Sequence, residues 1–182
     1  MEFTATQISD VVVIDPLVHE DERGFLMETW QAERFQAAGI DAVFVQDVHS
    51  RSARGTVRGL HYQINQAQGK LIRVIRGEAF DVAVDIRKSS PTFGQWVGEI
   101  LSEGNRKLLW VPPGFAHGFM VLSEFADFEY RMTDYHAPEH SRSILWDDPA
   151  IGIEWPSSGG ESPLMSDADS AGVALRDAEV YA

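Results

Sequence analysis

Short apolar segments recur along the chain and are separated by Gly, Pro and Asn turns, a rhythm that predicts strands more than helices. Val11-Val12-Val13-Ile14 opens one strand, and Pro16 ends it. Leu71 to Ile75 and Phe80 to Ile86 are rich in β-branched residues and flank Gly77-Glu78, which predicts a tight hairpin. Trp96 to Leu101, Leu108 to Val111, Gly118 to Leu122 and Phe125 to Met132 continue the series. One helix is expected early, with Thr29 as N-cap, an apolar face of Trp30, Phe35 and Ala38, and Gly39 as its stop. Ser157 to Pro163 reads as a loop before a C-terminal tail. The fold class is therefore mainly all-β, an antiparallel sandwich or barrel with a few short helices. A doubly wound α/β fold would need regularly alternating helices, and the pattern lacks them. No GxGxxG leads from a strand into a helix and no P-loop occurs, which disfavours a nicotinamide cofactor or a nucleoside-triphosphate engine.

The length of 182 residues, 44% of them hydrophobic, suits one domain with a real core. No apolar run reaches the roughly 20 residues that span a bilayer, and Met1 to Asp10 has no basic stretch followed by an apolar one. Without cysteine the chain has no disulfide or thiolate chemistry. A cytoplasmic protein with no membrane association is expected. The formal net charge of −13 repels phosphate backbones and disfavours nucleic acid as a partner. A small anionic substrate is compatible with that charge only if cations gather locally.

Such a gathering is visible. Arg58-Gly59-Leu60-His61-Tyr62-Gln63, followed by Gly69-Lys70, and Pro112-Pro113-Gly114-Phe115-Ala116-His117-Gly118-Phe119 each set a histidine among glycines and aromatics. Glycine lets a backbone or ligand approach closely, and an imidazole titrating near neutrality can serve as general base. A single histidine of this kind is more often a satisfied core residue. Arg58, His61, Lys70 and His117 together argue for an anion-binding site. A catalytic metal is not expected. No second histidine follows His61 two residues on, no HxxxH occurs, and the alternation of Asp81 and Asp85 reads as a polar-facing edge.

At this level of detail the chain resembles the dTDP-4-dehydrorhamnose 3,5-epimerase family. The resemblance is carried, in order, by Asp21-Glu22-Arg23-Gly24-Phe25 with Glu28, by Arg58 to Gln63, by Phe80 to Arg87, by Ser90-Pro91-Thr92-Phe93-Gly94 and by Gly114 to Phe119. Trp146-Asp147-Asp148-Pro149, Ile153-Glu154-Trp155-Pro156 and Ser166-Asp167-Ala168-Asp169 complete it. It implies a cupin-like jelly roll, with its core near residues 40–156 and a tail from 157 to 182. It also implies a homodimer that needs no cofactor or metal and inverts C3 and C5 of dTDP-4-keto-6-deoxyglucose. By position, His61 resembles the base, Asp169 its orienting carboxylate, Tyr130 the acid on the opposite face and Lys70 the group beside the keto oxygen. Arg23, Glu28, Gln46, Arg58 and His117 match substrate-contacting positions, and His136, with Tyr135 just before it, stands where the family stacks on the nucleotide base. The chain departs from the family at Val48, usually Asn, at His136, usually a tyrosine that stacks on thymine, and at Ser141, usually Glu. The alternatives within reach are an epimerase of C3 alone, a sugar-nucleotide-binding jelly roll without catalysis, and a metal-dependent cupin. Taken alone, Asp169 would read as a solvated tail carboxylate and Tyr130 as an edge tyrosine.

Overall fold

The computed structural model describes residues 1–157 and 162–182, so most of the expected 157–163 loop lies outside the described residues. The strands are β1 (Glu2–Ala5), β2 (Val12–Asp15), β3 (Val18–Asp21), β4 (Gly24–Met27), β5 (Gln46–Ala53), β6 (Val57–Gln63), β7 (Lys70–Arg76), β8 (Glu78–Asp85), β9 (Trp96–Ser102), β10 (Leu108–Val111), β11 (Phe115–Val121), β12 (Phe125–Met132) and β13 (Ser141–Ser143). Helix α1 (Ala32–Ala37) lies between β4 and β5, and α2 (Asp167–Ser170) lies in the tail. A six-stranded sheet runs β1-β2-β10-β7-β12-β5, a five-stranded sheet runs β13-β6-β11-β8-β9, and β3 and β4 form a separate ribbon. From β5 to β13, only β8 and β9 are consecutive strands in one sheet. Every other connection crosses to the opposite sheet, which makes this a cupin-like jelly roll.

Alternation along each strand produces three apolar layers. Between the sheets lie Ile72, Val74, Ala83, Leu109, Phe119, Phe128 and Tyr130. Outside the six-stranded sheet, Phe35 of α1 and Ile40 cover Ile14, Leu71, Leu108 and Trp110. Outside the five-stranded sheet, Ile144, Ile151 and Leu175 cover Leu60, Tyr62, Val82 and Val84. The tail is thus part of the packing, and the central strands β11 and β8 of the five-stranded sheet are covered on both faces.

Several sequence expectations are corrected. Leu71–Ile75 and Phe80–Ile86 do not form a hairpin, because β7 pairs with β10 and β12 while β8 pairs with β11 and β9. Gly77 (φ +81°) is instead the corner between sheets, and a Cβ there would lie 2.0 Å from the Phe125 carbonyl oxygen. A hairpin turn and a sheet-crossing corner use the same residues, and only the pairing distinguishes them. The helix is capped by Gln31, not Thr29, its side chain accepting from the Arg34 amide at 2.7 Å. Asp81 and Asp85 are not on an exposed edge. Strand β8 lies between β11 and β9, and both carboxylates are fully buried. Asp85 accepts hydrogen bonds from Arg87, Ser90 and Thr92, which hold it well below the usual carboxylate range against the opposing effect of burial. Strand β11 begins three residues earlier than expected, at Phe115, and so includes His117.

Candidate active site

The two glycine-flanked histidines come together because β6 and β11 are neighbours. His61 and His117 are direct partners across that antiparallel pair, so both side chains fall on the same face. The backbones approach unusually closely beside them. A Cβ on Gly59 (φ +123°) would lie 2.5 Å from Gly118 Cα, and one on Gly118 would lie 2.8 Å from the Arg58 oxygen. The register shifts between His117 and Phe119. Gly59 of one motif and Gly118 of the other are therefore required by the contact between strands.

His61 is held from the tail. Its Nε2 lies 2.7 Å from Asp169 Oδ1, and the same oxygen accepts the Gly59 amide at 3.0 Å. Asp169 closes a capping box at α2, where its Oδ2 accepts the Ser166 hydroxyl at 2.6 Å. The carboxylate is 3% exposed, so the solvated-tail reading does not hold. Burial raises its pKa, but hydrogen bonds from Ser166 and Gly59 and the field of His61 outweigh that and lower it. His61 keeps 44% of its side chain accessible at the rim. Even so, the protein around the ring makes desolvation the leading influence, assisted by Lys70 and His117. Together they outweigh the attraction of Asp169 and lower the imidazole's pKa. The shift favours the neutral imidazole, the form a general base requires.

The six-stranded sheet supplies the facing groups. In β12, Tyr130 pairs with Ile72 of β7 and Met132 with Lys70, which puts Lys70 and Tyr130 on one interior face two positions apart. Tyr130 is 8% exposed between β7 and β5, which overturns the edge-tyrosine reading. Its ring stacks on Phe128 at 5.7 Å and meets His117 edge-on at 6.2 Å. Burial first, then the charge of Asp81, push the phenol's pKa well above its usual value, against smaller opposing effects of Ser50 and Arg58. Lys70 is 9% exposed, and burial lowers its pKa to about 8 although Asp81 opposes the shift.

Asp81 was legible in the sequence only as an alternating carboxylate. In the fold its Oδ1 lies 2.9 Å from His117 Nε2, while Oδ2 is buried with no hydrogen-bond partner. Small Ala79 and Ala83 on the same face were the available signal, since they leave room beside a polar interior group. The site thus contains two His–Asp pairs. Among the described residues, no group of three or more His, Cys, Asp or Glu side chains is placed to hold a metal ion.

The other expected residues divide into two sets. Arg58, at the exposed start of β6, donates to the Ser52 hydroxyl at 3.1 Å and acts electrostatically on Tyr130. Gln46 Oε1 accepts the His136 amide at 3.0 Å, which ties it to the loop carrying Tyr135, 62% exposed, and His136. Val48 faces Tyr130 across β5 and β12 and packs against the interior core. Arg23 and Glu28 are not brought to this cluster. Arg23 pairs with Asp21 in the exposed β3–β4 ribbon, and Glu28 pairs with Arg34 at 3.4 Å.

The pKa directions define an expected pH profile. With His61 as the expected base and Lys70 as the expected cation, activity is predicted to rise as pH climbs through the lowered pKa of His61 and to fall as Lys70 loses its proton near pH 8. Lys70→Arg keeps a cation that does not titrate in this range, so its remaining activity is expected to lack the alkaline limb. Initial rates across about pH 5 to about pH 10 test this. An alkaline limb unchanged in Lys70→Arg would assign it to another group.

Two sheets of a cupin-like jelly roll that face a buried lysine and tyrosine against two His–Asp pairs give the groups of an acid–base enzyme of the cupin type. The dTDP-4-dehydrorhamnose 3,5-epimerase family model matches residues 5–177, and the chain belongs to that family. A dTDP-4-dehydrorhamnose 3,5-epimerase of Pseudomonas aeruginosa is 54% identical over 182 residues, covering 100% of this chain and 99% of that one. The crystal structure of a dTDP-6-deoxy-D-glucose-3,5-epimerase from Legionella pneumophila, in complex with dTDP-4-keto-L-rhamnose, superposes with a TM-score of 0.94. It is 51% identical and covers 98% of this chain and 94% of that one. A 3′-monoepimerase of Streptomyces bikiniensis bound to dTDP-quinovose is more distant, at 32% identity and a TM-score of 0.88, over 95% and 87% of the two chains.

Proposed function

We propose that the protein epimerises dTDP-4-keto-6-deoxy-D-glucose at C3 and C5 to dTDP-4-keto-L-rhamnose, a step of dTDP-rhamnose biosynthesis. The observation that carries this reading is that the His61–Asp169 pair and Tyr130 stand on opposite sheets with Lys70 beside the tyrosine. A hydrogen α to a ketone becomes acidic when the resulting enolate oxygen is stabilised. His61 takes that proton, the C–H electron pair moves into the enolate, and the Lys70 ammonium meets the charge developing on oxygen, a contribution of about 3 to 4 kcal/mol in comparable sites. Asp169 fixes the tautomer of the neutral imidazole and stabilises the imidazolium that forms. Tyr130, kept protonated by its surroundings, gives a proton to the opposite face of the carbon as the ketone re-forms, and exchange with solvent then takes the proton from His61 and restores that of Tyr130 before the second carbon reacts. Arg58 can hold the diphosphate through charge-assisted bonds. Proton transfer and charge stabilisation are both supplied by side chains, so the chemistry calls for no cofactor.

The same reading takes the 182 residues as one cytoplasmic functional unit. Arg23 and Glu28 make no contact with the His61 cluster, yet they match substrate-contacting positions. Their ribbon also presents Phe25 and Leu26, 56% and 73% exposed, to its surroundings. A homodimer in which this ribbon reaches the neighbouring site accounts for both facts. The greater likeness to 3,5-epimerases than to the 3′-monoepimerase supports inversion at two carbons. Incubation with dTDP-4-keto-6-deoxyglucose in D₂O tests the proposal, with deuterium expected at C3 and C5. Label at C3 alone would make it a monoepimerase, and absence of label would make it a binding protein.

A further inference from the structure

Gln63 closes the Arg58–Gln63 motif, two residues beyond His61, and the acid–base chemistry leaves it without a task. It is 4% exposed. Its side chain lies between the β6–β7 loop and the loop that follows β12. Nε2 donates to the Gln66 oxygen at 2.8 Å and to the Tyr135 oxygen at 3.2 Å, while Oε1 accepts the Ala137 amide at 2.8 Å. Two carbonyls and one N–H leave a single way to orient the amide, so its direction is fixed by its partners. The Gln63 carbonyl is held in turn by the Tyr181 hydroxyl from the tail. One buried amide therefore joins the strand of the base to both sides of His136, whose own amide is held by Gln46.

We propose that Gln63 is a positioning residue for nucleotide recognition, holding the 135–137 loop so that Tyr135 and His136 present their rings to the thymidine end of the substrate. The inference rests on the epimerase reading, which places those two residues beside the nucleotide. A hydrophobic side chain at position 63 would leave the Tyr135 oxygen and the Ala137 amide without their buried partner, and the loop would sample other conformations. His61 would be little affected, since its contacts run to Asp169 and not through the amide.

The test compares wild type, Gln63→Leu and Gln63→Glu. dTDP alone is titrated calorimetrically, and turnover of dTDP-4-keto-6-deoxyglucose is followed in D₂O. Gln63→Leu is expected to raise the Kd for dTDP about tenfold, the size of one or two lost buried hydrogen bonds. Its kcat at saturating substrate is expected to stay within about threefold of wild type. Gln63→Glu keeps the shape but sets a carboxylate against two carbonyls. Its penalty in dTDP affinity, relative to wild type at the same pH, is expected to shrink between about pH 8 and about pH 5.5 as the acid regains a proton to donate. Should Gln63→Leu fail to fold, that pH series decides alone. Wild-type affinity for dTDP at every pH in the variants that fold would overturn the proposal, as would a fall in kcat equal to or larger than the loss of affinity. Wild-type protein that neither binds dTDP nor labels the sugar would overturn the epimerase reading and this proposal together.

Discussion

His61→Asn is expected to remove nearly all deuterium exchange at C3 and C5, a loss of about 10²- to 10⁴-fold for a general base. Asparagine retains a donor that can face Asp169 but has no site that can take a proton at neutral pH, so folding is expected to survive while turnover does not. Asp169→Asn separates orientation from basicity. Asp169 is the group that opposes the lowering of the His61 pKa. Without its charge the acid limb of the pH profile is expected to move to lower pH, while the maximal rate falls because the imidazolium loses its counter-ion. The Asp169→Asn change also sets an amide among donors from Ser166 and Gly59, so some loss of thermal stability is expected, of about 1 to 3 kcal/mol. Near-full exchange in folded His61→Asn protein, followed by NMR, would sink the assignment of the base. An acid limb that stays in place in Asp169→Asn would mean that the carboxylate acts only structurally.

Tyr130→Phe is expected to separate two steps that wild type couples. His61 can still remove the proton and Lys70 can still hold the enolate, because both stand outside the phenol. The carbon cannot be protonated from the other face, since phenylalanine has no proton to give. Exchange of substrate hydrogen with solvent should therefore persist while inverted sugar falls by about 10²-fold or more. The substitution preserves the ring that stacks on Phe128 and meets His117, so it makes little demand on the core. The raised pKa of Tyr130 suits this role, because a phenol that resists ionisation keeps its proton across the working pH range. Product NMR in D₂O decides the matter. Wild-type amounts of inverted sugar from Tyr130→Phe would show that another group is the acid, with Tyr135 the first to examine.

Some of this could be read directly from the residues. Gly59 and Gly118 mark a close approach of backbones, and the fold places them against each other. Strands with β-branched residues on both faces, such as β7 and β8, were visible because their apolar content is high on either side. Strands β1, β3, β4 and β5 were not, because exposed residues interrupt their pattern, as the alternating exposure of β5 shows. A half-exposed strand at a sheet edge carries too few apolar positions to stand out from a loop.

The strand-rich class, the histidine motifs with their glycines and, through ordered motifs along nearly the whole length, the family are all legible in residue order. These are local properties, set by side-chain volume, β-branching and residue order. Which strands are neighbours is settled by the fold alone. That choice turned the Gly77 hairpin into a corner, and buried Asp81 and Asp169 beside two histidines 36 and 108 residues away along the chain. It also set Tyr130 and Lys70 on the sheet facing His61. The physical reason is that a carboxylate's ionisation and a tyrosine's proton depend on the charges and the solvent around them. Those surroundings come from chain segments that have no relation in sequence until the two sheets close on each other.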